Sequence, residues 1–153
     1  WGRNRDARDD MSKGNTFESD LLALIFNATA IANIADNAAT SPLTNLYVSL
    51  HTADPGEAGS QTTSETAYTG YARVAVARTS GGWTVASGSV SPNANIDFGQ
   101  CTASPGAAIT HAAVGTASSG TGKVLYKGAL SASITMAVGV IPRLTTGSAI
   151  TED

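Results

Sequence analysis

After Pro42 the chain carries short β-branched or aromatic runs, each cut off by Gly, Pro, Asn or Ser. That punctuation leaves room for short strands and turns and little else. The candidate strands are Asn45–His51, Ala72–Ala77, Gly82–Ala86, Asn95–Phe98, Ile109–Gly115, Val124–Leu130, Ile134–Val140 and Ser148–Thr151. About eight short strands with turn signals between them predict a mainly β fold, a single β-sandwich or jelly-roll-like domain. Tyr71, Arg73, Ala75 and Ala77 alternate with Ala72, Val74 and Val76. This is the period of a half-buried strand with both valines inward. Gly81-Gly82 reads as a hairpin-type turn between Arg78 and Trp83. Ser91-Pro92-Asn93, Ser104-Pro105-Gly106 and Ser118–Gly122 read as loops.

One helix precedes this β region. Asn15 is placed to cap it, with Glu18 three residues on completing a capping-box pattern. Phe17, Leu21, Leu24, Ile25 and Ala28 form one apolar stripe, and Glu18 and Asp20 suit the positive end of the helix dipole. The helix either frays near Asn27 or runs through Ile31 and Ile34 to Asp36, before Asn37 to Pro42 ends it. The longer reading gives a helix over about 16–36 and a sandwich over about 45–153, one domain from residue 11 onward. Met11-Ser12-Lys13-Gly14-Asn15 reads like a natural start, so residues 1–10 are expected to be an extension outside the native fold.

Composition narrows the function. Ala, Gly, Ser and Thr make up half of the 153 residues, and only 14% are charged. Low charge with many small residues suits packed β-layers and broad protein contacts better than a freely diffusing enzyme. The net charge of −3 argues against a nucleic-acid partner. The early cluster Arg3, Arg5 and Arg8 is nearly cancelled by Asp6, Asp9 and Asp10. No apolar run approaches membrane-span length, so no membrane partner is expected. Leu21 to Phe26 is too short for a signal peptide and follows acidic residues, which fits synthesis in a cytoplasm. Cys101 is the lone cysteine, more suited to a small buried apolar role than to a nucleophile.

The residues that carry chemistry elsewhere are sparse here. A metal site would need His51 and His111 to converge with Asp54 or Cys101, and nothing in their spacing brings them together. No G-x-S-x-G elbow occurs. Gly120-Thr121-Gly122-Lys123 lacks phosphate-loop spacing and precedes a strand, so it reads as a hairpin turn. Asp54-Pro55-Gly56-Glu57 fits a type II turn with solvated charges better than a calcium site. Trp83, Tyr68, Tyr71 and Tyr126 suit core or interface positions. No catalytic residue, metal or cofactor is expected.

Two segments carry a resemblance. Leu46–Gly59 reads LYVSLHTADPGEAG, and Tyr68–Arg78 reads YTGYARVAVAR. With Asn33-Ile34-Ala35-Asp36-Asn37, they resemble a family of small tailed-phage virion proteins, often labelled tail fibre proteins and including head decoration proteins. The resemblance implies a virion structural protein made in the host cytoplasm. The first expectation is a capsid decoration or cement protein that braces capsomer contacts; the alternative is a tail fibre or tail-tip component that binds the host surface or an adaptor. The implied partners are the major capsid protein or other virion proteins, and further copies of itself as a homo-oligomer. The N-terminal segment and the Asp54–Thr69 loop are the natural contact arms. The expected interface residues are Phe17, Leu21, Asp36, Asp54, Glu57, Glu65, Tyr68 and Tyr71.

Overall fold

A computed structural model describes residues 15–31 and 42–151. In chain order its elements are α1 (Asn15–Asn27), β1 (Asn45–His51), β2 (Val74–Ala77), β3 (Trp83–Ala86), β4 (Ser89–Pro92), β5 (Ile96–Asp97), β6 (Ile109–Gly115), β7 (Val124–Ile134), β8 (Arg143–Leu144) and β9 (Ile150–Thr151). They form a four-stranded sheet in the order β2-β1-β6-β7, a three-stranded sheet β3-β4-β9 and the pair β5-β8. Every pairing is antiparallel. The fold is therefore mainly β with one helix, compatible with a sandwich.

β1 is central because both of its faces are covered. Leu46, Val48 and Leu50 enter the core, while Ser49 and His51 are buried on the opposite face. A strand with one wet face would alternate buried and exposed; β1 is instead buried from Val48 onward. The cover on its second face is the long 52–73 segment, described below. β2 follows the expected alternation, with Val74 and Val76 half-buried and Ala75 and Ala77 exposed.

The helix stops at Asn27, as the shorter of the two readings has it; the longer reading, to Asp36, is corrected over 28–31, which are not helix. Ala28 adopts a left-handed backbone at φ 55°, and the Thr29 N–H closes back on the Ala23 carbonyl at 3.1 Å. The last-turn carbonyls of Leu24 and Ile25, which have no partners within the helix, accept from the Arg78 guanidinium. A cation is also favourable at this end of the helix dipole. Asp36 lies outside the described residues. The fully buried helix positions are Leu22 and Phe26, one place over from Leu21 and Ile25. Phe26 sets that face: its ring meets Trp83 edge-on at 4.7 Å and lies 5.6 Å from Tyr126. Full burial of two such side chains stabilises by about 1.5–3 kcal/mol each. The Ser19 hydroxyl accepts from the Gly88 N–H at 2.9 Å and pins the helix to the β3–β4 turn.

Gly81-Gly82 does not join a hairpin. β2 pairs with β1 and β3 with β4, in different sheets. The hairpin turn is instead Ser87-Gly88, with φ of 51° and 69°, the backbone that a two-residue connection between twisted strands needs. Gly82 has a steric role, because a Cβ there would sit 2.1 Å from the Ala77 carbonyl oxygen. β4 and β8 have no counterpart among the sequence candidates; Ser91 and Pro92 belong to β4 rather than to a loop. The candidates Val124–Leu130 and Ile134–Val140 merge into β7, and 135–140 is not strand. β7 carries a large bulge, since its five-residue step from Ala129 to Ile134 faces the two-residue step from His111 to Ile109.

Arg78→Ala leaves the Leu24 and Ile25 carbonyls without their donor. It should cost about 1–3 kcal/mol in chemical denaturation, with a loss of helical circular dichroism; an unchanged midpoint would show that water replaces the guanidinium.

Candidate functional site

The 52–73 segment doubles back along β1. The Thr52 N–H donates to Ser64 O at 2.8 Å, and the Thr66 N–H to Leu50 O at 3.0 Å. Asp54-Pro55-Gly56-Glu57 opens it as a turn, with Gly56 at φ 75° and its N–H on Asp54 Oδ1 at 2.8 Å. Further on, Ser60 bridges to Lys123, and the Gln61 N–H donates to Gly122 O at 2.9 Å. The loop thus touches both β1 and the start of β7.

Polar side chains hold it there. Arg73 Nε and Nη2 grip both oxygens of Glu65 at 2.7 and 2.8 Å, a bidentate pair. The same guanidinium donates from Nη1 to Ala117 O at 2.9 Å and from Nη2 to Gly120 O at 2.8 Å, in the β6–β7 connection. The Tyr71 hydroxyl donates to Glu65 Oε1 at 2.8 Å and accepts from the Leu50 N–H at 3.1 Å. Burial raises the Tyr71 pKa, so this hydroxyl keeps its proton. Gln61 is fully buried and bridges the same parts, donating to Tyr47 O at 3.3 Å and accepting from the Ala117 N–H at 2.9 Å. Gly115 and Gly122 form its slot: a Cβ on either would fall within 2.2 Å of the Gln61 amide group.

His51 lies beneath the loop with no exposure. Its Nδ1 is 2.9 Å from Thr63 O, which can only accept, so Nδ1 carries the proton. Nε2 therefore accepts from the Ser49 hydroxyl at 2.9 Å. A serine hydroxyl, a histidine acceptor and a third group that orients the ring match the parts of a nucleophilic site. Here Ser49 and His51 are both wholly buried, so no substrate can reach the hydroxyl, and the pair orders the strand and its cover. Burial lowers the His51 pKa and outweighs the Thr63 bond. His51 and His111 are directly opposed on β1 and β6, so pairing brings together two residues whose spacing had kept them apart. No group of three metal-ligating residues occurs among the described residues.

The expected interface residues fall into distinct settings. Asp54 and Glu57 hold Lys127 Nζ at 3.0 Å each and tie the loop tip to β7. Asp54 is held below its usual pKa, first by the Gly56 N–H and then by Lys127. Both carboxylates stay exposed, so this clamp contributes little stability. Glu65 and Tyr71 are engaged inside the chain, as above. Tyr68 is buried, donates to Gly99 O at 2.8 Å, and has its pKa pushed up to about 12 by burial. Leu21 is half-buried on α1; the side chain of Phe17 lies outside the described residues. Among the described residues the most exposed large apolar side chain is Val138 at 66%, on the loop after β7, with Ile141 close by. The strand expected over Ile134–Val140 does not reach Val138, and Gly139 beside it takes φ 93°, a turn backbone.

Two measurements test this network. Arg73→Met leaves the half-buried Glu65 carboxylate without its counter-charge, held by the Tyr71 hydroxyl alone, and should cost about 3 kcal/mol, whereas Arg73→Met with Glu65→Leu should cost much less than the two single changes together. Denaturation of the four proteins of that cycle gives the coupling. His51 adds a pH dependence. Its folded pKa lies below the unfolded value of 6.5, so the stability it contributes is full above that pH. That stability is lost as pH falls below it, toward the folded pKa. His51→Asn keeps a donor for Thr63 without a titrating ring and should flatten the stability curve over this range.

The architecture has a family. The profile described as Podophage GP4 fiber I protein gp80 matches residues 13–152. No curated protein matches the chain. The matched region runs from α1 to β9 and contains the whole 52–73 network. By this match across nearly its full length, the chain belongs to the family of the podophage GP4 fibre I protein gp80, structural proteins of the tailed-phage virion.

Proposed function

We propose that this chain is a structural component of a tail fibre on a tailed-phage particle, acting through protein contacts rather than through a reaction. The observation that carries this reading is the match of the fibre-protein family to residues 13–152. The geometry supports it in two ways. The sealed Ser49–His51 pair gives no access to a substrate. The long loop, which a binding enzyme would leave free to move, is tied by Arg73 and Gln61 to the β6–β7 connection. A body of this kind transmits position along a fibre, because its surface does not rearrange when one contact is lost. Its partners on this reading are other virion proteins and further copies of itself, engaged through many modest contacts repeated by symmetry.

The test is to add the purified protein to particles assembled without it and to image them by electron cryo-microscopy. Extra density at the tail is the expected result. Density spread regularly over the capsid lattice, with heads that resist heat longer, would replace the fibre reading with head decoration bound to the major capsid protein.

A further inference from the structure

His51 is a basic group sealed where little suits its charged form. Its Nε2 accepts from Ser49, and its Nδ1–H donates to Thr63 O. A proton on Nε2 would force Ser49 Oγ to accept instead. The serine hydrogen would then have to turn to Ala113 O at 3.5 Å, too far for a good O–H···O bond. Two residues are paired with His51 across the backbone, His111 on β6 and Glu65 in the loop. A charged His111 would add a like charge. The Glu65 oxygens already serve the Tyr71 hydroxyl and Arg73, and Arg73 brings a further cation. At the loop tip, Asp54 and Glu57 are taken by Lys127 of β7. The Thr63 carbonyl favours the charged ring, but desolvation outweighs it.

The group bonded to Nδ1 belongs to a short turn. Thr62, Thr63 and Ser64 are exposed, and Ser64 takes φ 55°, a left-handed backbone that is costly for a residue with a Cβ. Among the described residues, the turn's hydrogen bonds to the rest of the chain come from His51 and Thr52. The Thr52 N–H and hydroxyl both donate to Ser64 O, at 2.8 and 3.2 Å. The turn's other bonds stay within residues 60–65. The anchors on either side of it are separate. The Gln61 N–H is on Gly122 O, the Thr66 N–H is on Leu50 O, and Glu65 is gripped by Arg73. The turn can therefore move while the loop stays in place.

We propose that the Thr62–Ser64 turn is an acid-opened hatch: when His51 takes a second ring proton the turn swings out, water reaches the Ser49–His51 pair, and Gln61 and Glu65 hold the rest of the loop. The physical ground is linkage. Any state that hydrates the ring returns His51 to its ordinary proton affinity, so acid favours that state over the sealed one. Global unfolding hydrates the ring too, but it also breaks the Arg73 and Gln61 anchors and strips the core. Swinging the turn gives up the Thr63 bond and the two Thr52 bonds, and it frees Ser64 from its left-handed backbone. The sign follows from a sealed ring that binds its proton less readily than the ordinary value of 6.5. The hatch is shut above that pH. Below it, opening grows by up to about tenfold per pH unit, until the sealed form is itself protonated.

The test is amide hydrogen exchange by NMR on the full chain without any phage particle, so its outcome is separate from the fibre reading. Rates are compared from about pH 7.5 to about pH 4.5, each divided by the rate of an unprotected amide at that pH. The Thr52 N–H reports the hatch, because its acceptor is Ser64 O. Its opening should rise as pH falls, while the Gln61 and Thr66 amides keep their protection. The rise should level off at the pH where the ring signals of His51 show it fully protonated. His51→Asn keeps a donor for Thr63 and should make Thr52 exchange independent of pH over this range. Should that variant not fold, the levelling-off in the wild type still decides. A Thr52 amide whose protection ignores pH overturns the proposal. So does loss of Gln61 and Thr66 protection together with Thr52, which marks a larger opening. A rise that continues after His51 is protonated belongs to the carboxylates and overturns it too, as does a folded His51→Asn variant that still opens in acid.

Discussion

Arg73 carries a full positive charge to a place where only 3% of its side chain meets water. Alone there it would be strongly destabilising. The Glu65 carboxylate and the carbonyls of Ala117 and Gly120 make that position tolerable. Those partners come from two separate parts of the chain, so the guanidinium is satisfied only when the loop, β2 and the β6–β7 connection are all in place. The loop in turn covers the second face of β1. Removing that cover would expose Ser49 and His51 and leave the central strand wet on one side.

The arrangement follows from a composition poor in large apolar residues. Half of the chain is Ala, Gly, Ser or Thr, so one apolar core cannot cover both faces of the sheet. One face of β1 packs against the core with Leu46, Val48 and Leu50; the other is closed by hydrogen bonds. Such closure depends more on geometry than apolar packing does, because each buried donor needs its acceptor. Gly115 and Gly122 show how tight the fit is around Gln61. For a virion structural protein this exchanges plasticity for a fixed shape.

Much of this was legible in the sequence, and the exceptions share a cause. Asn45–His51 and Ile109–Gly115 appear with the expected bounds, because apolar runs closed by turn residues fix a strand locally. β4 and β8 were invisible, since Ser89-Val90-Ser91-Pro92 and Arg143-Leu144 acquire strand geometry only from the partners they meet. The helix end was ambiguous for a similar reason. The Ala-rich chain after Asn27 permits helix, and the stop is reinforced by Arg78, 53 residues from Ile25. Gly81-Gly82 carried a hairpin signal of the right kind in the wrong place, because a glycine needed for close approach looks the same as one needed for a turn.

The site divides along the same line. The sequence by itself determined the β class, the turn at Asp54–Glu57, the lack of a catalytic motif and the resemblance to phage virion proteins. These depend on local backbone preference and on residue types that neighbours in the chain suffice to interpret. Only the tertiary structure decided that Glu65 and Tyr71 face inward to Arg73, and that His51 and Ser49 are sealed. Charged and polar residues carry no local mark of their partners. Whether each ends in water, in an ion pair or at a neighbour's surface depends on which distant segment folds over it.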